Sequence, residues 1–377
     1  MNTDKTYCKA PWTALFVHPS GGVKCCCSGS YQWGSLQTDT IENIISSPVV
    51  NKLRQDIINN VPNEYCKSCV NGEALSGTSQ RIYFDKFTIS DDKLKDPNLF
   101  ELYSLDIRWN NLCNLSCVYC TDEWSTEWQK TKSIPISPVK LPYHENILNF
   151  IKSNSKTVES IIVAGGEPLL HKQNIQLLEN LDESVEIGFI TNLSINLESS
   201  PVFQLLKNRK NVIWSISLEG LGKRFEYVRR NAKWDKMQQN IEFLHKHITP
   251  NQTLFFFPVY CIYSITELIE YYKYARQFNA NIHWQQLLGP DQLNVFNFSR
   301  PLRELAHAHI EELLESPVLV NLPYDDGFLR HARGQLLSVD EVSSQDINFR
   351  YFTEDYEKDS NLKFANLWPE LDSVISK

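Results

Sequence analysis

Three cysteines, Cys113, Cys117 and Cys120, lie within eight residues, in the run Cys-Asn-Leu-Ser-Cys-Val-Tyr-Cys. Their spacing is C-x3-C-x2-C, with Tyr119 directly before the last thiol. Thiolates this close can hold three corners of a cubane 4Fe–4S cluster. A fourth cysteine at compact spacing is missing, so one iron stays open to a small ligand. Structural zinc is the other reading of clustered thiols, but it wants four ligands, often as two C-x2-C pairs. A second chemical segment, Gly165-Gly166-Glu167-Pro168, ends the next apolar stretch. Its glycines allow close backbone approach to a ligand, and its glutamate offers a carboxylate to an ammonium group. By itself it would be a turn.

Nine of the ten cysteines precede residue 121. Packing cysteines would be spread through the chain, so the bias points to metal. Cys66 and Cys69 form a C-x2-C pair, and Cys8 and Cys26 lie upstream. Four thiolates also suit tetrahedral zinc. Cys25 and Cys27 flank Cys26 and read as small packing residues. Cys261 stands alone in Val259-Tyr-Cys-Ile-Tyr263. A thiol there could donate a hydrogen atom to a bound ligand, or simply pack.

These residues must be positioned by a scaffold. From Leu102 onward, strand-like and helix-like segments alternate. The expected strands are Leu102–Arg108, Ser160–Ala164, Val185–Thr191, Val212–Ser217, Leu254–Tyr260 and Asn281–Gln286. The expected helices include Pro142–Lys152, Asn174–Leu181, Val202–Leu206, Trp234–His247 and Ile265–Phe278. Such alternation implies a parallel sheet with crossover helices. Six units are too few for a full eight-fold barrel. The expectation is α/β: a partial (β/α)6 TIM-type barrel over 99–290, an N-terminal cluster domain over 1–98, and a C-terminal extension over 291–377 packing on the barrel. Asp39–Asn60 reads as a pair of short helices. In a parallel α/β fold, ligands sit at the carboxyl ends of strands. Gly165–Pro168, Thr191-Asn192, Ser217, Glu219, Cys261 and His283 all fall there. Asn192 can contact a ligand or cap the next helix.

The chain has 377 residues, 42% of them hydrophobic, and a net charge of −8. No basic block is present, so a nucleic-acid partner is not favoured. The N-terminus is polar, no signal peptide is evident, and no apolar run is long enough to span a membrane. The expected location is cytoplasmic, where cysteines serve metals rather than disulfides.

The C-x3-C-x2-C triad, followed one strand later by Gly-Gly-Glu-Pro, resembles the signature of the radical S-adenosylmethionine (SAM) enzymes. The resemblance implies that Cys113, Cys117 and Cys120 hold a 4Fe–4S cluster whose open iron chelates SAM. An electron from it would release a 5'-deoxyadenosyl radical. Gly165, Gly166, Glu167 and Pro168 would bind the amino end of SAM, with Tyr119 and Asn192 nearby. Ser217 and Glu219 would approach its ribose, and Arg229 its carboxylate. Glu219 stands where aspartate is commoner. Residues 1–98 resemble the twitch or SPASM auxiliary-cluster domain. That implies a second 4Fe–4S cluster on Cys8, Cys26, Cys66 and Cys69, here placed before the barrel rather than after it. Members remove a hydrogen atom from an unactivated carbon. The implied partners are a reductant such as flavodoxin or ferredoxin and a small or carrier-linked metabolite undergoing dehydrogenation, isomerisation or epimerisation. A peptide- or nucleotide-modifying enzyme is the alternative, and a non-catalytic iron–sulfur electron carrier is the alternative of another class.

Overall fold

The computed structural model describes residues 7–76, 79–135, 144–287, 289–319, 327–338 and 345–375. Pro142 and Tyr143 of the expected helix, and the polar first six residues, lie outside these. The chain folds as two compact units, one of residues 1–113, 135–190 and 201–213, the other of residues 114–134, 191–200 and 214–377.

In the first unit the strands are β1 (Ala14–Val17), β2 (Gly22–Lys24), β3 (Gly34–Ser35), β4 (Ser104–Ile107), β5 (Ser160–Val163) and β6 (Glu186–Thr191, its last residue in the second unit). Their order is β6-β5-β4-β1-β2-β3. β4 and β5 pair in parallel, Leu105 opposite Ile161, and β5 and β6 likewise, Ile161 opposite Ile187. Alternate residues divide by face. Leu105, Ile107, Ile161, Val163, Ile187 and Phe189 are buried, while Asp106, Ile162, Gly188 and Ile190 keep partial exposure. A period of two with one apolar row is what a strand needs to bury a single face. Helices His144–Ser153 and Gln173–Asn180 follow β4 and β5, burying Ile147, Phe150, Ile151, Leu177 and Leu178.

The N-terminal residues contain a strand that the cysteine pattern concealed. β1 pairs in parallel with β4, Ala14 opposite Ser104 and Val17 opposite Ile107. The Pro19–Gly22 turn then returns the chain antiparallel as β2. Gly21 takes φ 88° there, a conformation glycine adopts without strain. The two expected short helices are Ile41–Ile45 and Pro48–Ile58. From the second, buried Arg54 donates to the carbonyls of Pro11, Ile45 and Pro97 and ties the segment together.

In the second unit the strands are β8 (Thr253–Phe256) and β9 (Asn281–Ile282), which pair in parallel. β7 (Val212–Ile216) runs through the boundary. β4 to β9 are therefore the six strands expected of a (β/α)6 arrangement, joined by helices that include Pro201–Leu206, Trp234–His247 and Leu268–Gln277. The C-terminal residues add helices Arg300–Glu315, Phe328–Ser338 and Asp346–Tyr356. They pack within the second unit through buried Trp368 and through Tyr356, whose hydroxyl donates to the Tyr227 carbonyl at 2.9 Å.

Candidate functional site: two groups of cysteines

In the first unit, β2 delivers Cys25 and Cys26, and the turn Glu64–Cys66 leads into the helix Lys67–Ser76 that carries Cys69. With Cys8, these thiols line one cavity. The four expected ligands, Cys8, Cys26, Cys66 and Cys69, thus come together. Cys25 is a fifth thiol on the same cavity. Its N–H donates to Tyr65 Oη at 3.0 Å, and its sulfur lies 3.3 Å from that oxygen. Burial pushes the Cys8 and Cys25 thiols well up, and the Cys66 thiol up to about 12. Cys26 is held down, first by a hydrogen bond from Cys25. Thiols this reluctant to ionise gain from a cation that takes their charge. Among the described residues, no three Cys, His, Asp or Glu side chains converge as a single metal ion would require. Five thiols on one cavity are one more than a tetrahedral ion takes, and they suit a cubane held at four corners. Cys27 turns outward and is exposed.

Cys113 also belongs to the first unit, directly after an anchored backbone. The Leu112 carbonyl accepts the Glu167 N–H at 2.8 Å and pairs with His171 Nε2 at 3.2 Å. Gly166 makes this approach possible. It has φ 52°, and a Cβ there would lie 2.3 Å from the Leu112 oxygen. Gly165 has φ 79°, with Arg108 Cβ 2.7 Å from where its own Cβ would be. The pair of glycines is therefore set by the protein's own backbone and side chains. Glu167 is fully buried and accepts the Leu169 N–H at 2.9 Å; Pro168 opens the short helix that follows.

In the second unit, Ser116–Cys117 pairs antiparallel with Arg229–Arg230, setting Cys117 opposite Arg229. The Arg229 guanidinium makes a two-pronged ion pair with Glu219, both contacts 2.7 Å. It also donates to Tyr119 Oη at 2.6 Å and to Cys117 Sγ at 3.6 Å. Burial disfavours its charge, but Glu219, Tyr119 and Cys117 more than offset that and hold its pKa up. Burial pushes Cys117 up to about 12, with Arg229 opposing. A sulfur facing a guanidinium is suited to a thiolate's charge. Trp128 Nε1 donates to the Cys117 carbonyl at 2.9 Å, and Cys120 N–H donates to the same carbonyl at 2.9 Å. Cys120, in the same unit, lies near enough to help raise the Cys117 pKa, and thiols at the C-x3-C-x2-C spacing suit a cluster held at three corners.

Asn192 donates to Asn114 Oδ1 at 3.2 Å and accepts from Ser194; Asn114 in turn donates to Ser194 at 2.8 Å. Ser217 is half-buried, its N–H bonded to the Thr191 carbonyl at 2.9 Å. A small cavity beside Glu219 is lined by Arg224, Thr266, Tyr271 and Trp284. Cys261 has no exposed surface, and burial pushes its thiol up to about 12. His171 and Asn114 escaped sequence reading, and Cys25, expected only to pack, lines the thiol cavity. A polar residue three places after Gly-Gly-Glu-Pro, or next to a ligand cysteine, carries no pattern of its own.

Family models place these residues. Residues 107–275 match the radical SAM superfamily, and residues 8–70 match the SPASM iron–sulfur cluster-binding domain. The radical SAM match covers a little under half of the sequence, and the SPASM match lies ahead of it. The chain therefore carries a radical SAM domain preceded by a SPASM-type domain, and its cofactors are 4Fe–4S clusters, one of them auxiliary, and SAM. A probable GTP 3',8-cyclase of Methanocaldococcus jannaschii is 29% identical over 162 residues, 42% of this chain and 50% of that protein. The GTP 3',8-cyclase of Clostridium perfringens is 29% identical over 153 residues, 40% of this chain and 45% of that protein. The chain thus spans about half the length of these curated relatives. Among solved structures, Streptococcus suis SuiB has a TM-score of 0.44 at 15% identity, covering 87% of this chain and 83% of that one. Native anSMEcpe with bound AdoMet has a TM-score of 0.42 at 14% identity, covering 56% and 60%. No helix among the described residues is long and apolar enough to cross a membrane.

Proposed function

We propose that this radical SAM enzyme abstracts a hydrogen atom from a small or carrier-linked metabolite, leading to dehydrogenation, isomerisation or epimerisation. The carrying observation is the thiol triad of Cys113, Cys117 and Cys120, with the Leu112 carbonyl ahead of it bonded to Glu167. An electron carrier needs no such SAM segment. When bound there, the cluster and SAM together supply the 5'-deoxyadenosyl radical. The chain's own residues hold and orient. Cys113, Cys117 and Cys120 would ligate the cluster, with Arg229 facing Cys117 and steadying its negative charge. Gly165, Gly166, Glu167 and Pro168 would present the SAM-amine site, and Tyr119, Asn192, Ser217, Glu219 and Arg229 would shape the rest. Because Glu219 already takes the Nε–Nη2 edge of the Arg229 guanidinium with both oxygens, a SAM carboxylate would share Arg229 with it.

Cys8, Cys26, Cys66 and Cys69 would close an auxiliary cluster, suited to taking an electron from the substrate radical. A reductant such as flavodoxin or ferredoxin would supply the first electron. Cys261 would serve as hydrogen-atom donor only if its buried position opened. A second reading is action on a nucleotide, favoured by the partial match to GTP 3',8-cyclases. Incubating the reduced, iron-loaded protein with SAM tests the proposal. Formation of 5'-deoxyadenosine supports it, and its absence with full iron content overturns it. Isotope transfer from deuterated candidate metabolites, set against GTP, separates the two readings.

A further inference from the structure

The backbone entering the cysteine loop is held from one side by residues that follow Gly-Gly-Glu-Pro. The Leu112 carbonyl, one residue before Cys113, takes the Glu167 N–H at 2.8 Å and faces His171 Nε2 at 3.2 Å. Trp109 Nε1 donates to Asn174 Oδ1 at 2.7 Å, and Asn174 Nδ2 donates to the Pro168 carbonyl at 2.8 Å. Asn174 N–H donates to the His171 carbonyl at 3.1 Å, which links the two bonds into one network. Trp109, His171 and Asn174 are all buried.

A carbonyl can only accept, so His171 carries its proton on Nε2. Its Nδ1 is buried and has no hydrogen-bond partner among the described residues. A bare buried acceptor is a cost that a leucine or phenylalanine of similar bulk would not incur. Packing therefore does not account for a histidine here, whereas the bond to Leu112 does. The ring is buried and its pKa is lowered to about 4, so it stays neutral through the working range and keeps this single donor.

We infer that His171, with Asn174 behind it, is a positioning residue that fixes the loop carrying the first cluster cysteine. It acts through Leu112 on Cys113, and through Pro168 it ties that cysteine to the segment proposed for the SAM amine. The inference rests on Cys113 being a cluster ligand.

The test uses the full chain, iron-loaded without oxygen, as wild type, His171→Leu and His171→Gln. The cluster whose reduced EPR spectrum shifts on adding SAM is followed as bipyridyl removes its iron. His171→Leu should release that cluster about fivefold faster, the factor one net hydrogen bond carries. His171→Gln, which keeps an N–H donor, should return most of the difference, while the auxiliary signal stays unchanged in both. A wild-type release rate in His171→Leu overturns the inference, as does a glutamine variant no better than the leucine one. If His171→Leu does not fold, Trp109→Phe, which removes only the bond to Asn174, must speed release in the same sense, and an unchanged rate overturns the proposal. A wild-type protein with no SAM-responsive spectrum overturns the ligand assignment beneath it. Normal wild-type behaviour with unaltered variants overturns the inference alone.

Discussion

Arg229 and Glu219 show what a single residue is asked to do near a ligand cysteine. Their ion pair is almost wholly enclosed, with side chains 7% and 0% exposed. Removing one partner leaves a buried charge unpaired, at a cost of roughly 3–5 kcal/mol. Arg229→Met should therefore lower the melting midpoint sharply, and adding Glu219→Leu should recover part of the loss. Calorimetry on the two single variants and the double variant checks this, and strict additivity would contradict the pairing. Gly166 offers a second case. A side chain there meets the Leu112 oxygen and a left-handed backbone costing about 1–2 kcal/mol. Gly166→Ala should thus damage stability and iron retention together, rather than SAM affinity alone. His171 gives a pH signature. Its folded pKa of about 4 lies below the unfolded value of 6.5. Between those values the unfolded chain binds more protons, so stability falls as pH drops through that window, by at most about 1.4 kcal/mol per pH unit. His171→Leu should flatten this slope between pH 6.5 and pH 4, read as the melting midpoint against pH.

At the scale of elements, legibility followed the strength of the local pattern. The strands were legible because each is a short β-rich run between helical periods, but the last two expected runs each break in two, and Val259–Tyr260 pairs with Gln285–Gln286 in a separate small sheet. β1 was not legible. Ala14–Val17 is four residues long, and its partner β4 lies about ninety residues on. Nothing local signals a pairing that distant. The cysteine sets were legible because chemistry, not packing, fixes their spacing. The roles of Cys25, Asn114 and His171 were not, because each depends on a partner brought close only by folding. Tyr65 illustrates the point. It abuts Gly29, where a Cβ would lie 2.2 Å from its hydroxyl, and its oxygen takes the Cys25 N–H. Tyr65→Phe should loosen the Cys25–Cys26 turn. The auxiliary cluster should then lose iron to a chelator faster, while SAM cleavage continues. A parallel loss of both would contradict independent cysteine sets.

At the scale of the whole molecule, two groups of thiols imply about eight irons per chain as two cubanes. Replacing Cys8, Cys26, Cys66 and Cys69 by alanine should leave about four. The net charge of −8 supplies no overall electrostatic attraction for a nucleic-acid polymer. The central claim is that Cys113, Cys117 and Cys120 carry the cluster that cleaves SAM. The most direct measurement is 5'-deoxyadenosine formed by reduced, anaerobic protein, wild type against the triple alanine variant, with iron counted in both. The account predicts turnover in the wild type, none in the variant, and a loss of about four irons with the auxiliary spectrum intact. Unchanged iron and undiminished 5'-deoxyadenosine in the triple variant would contradict it.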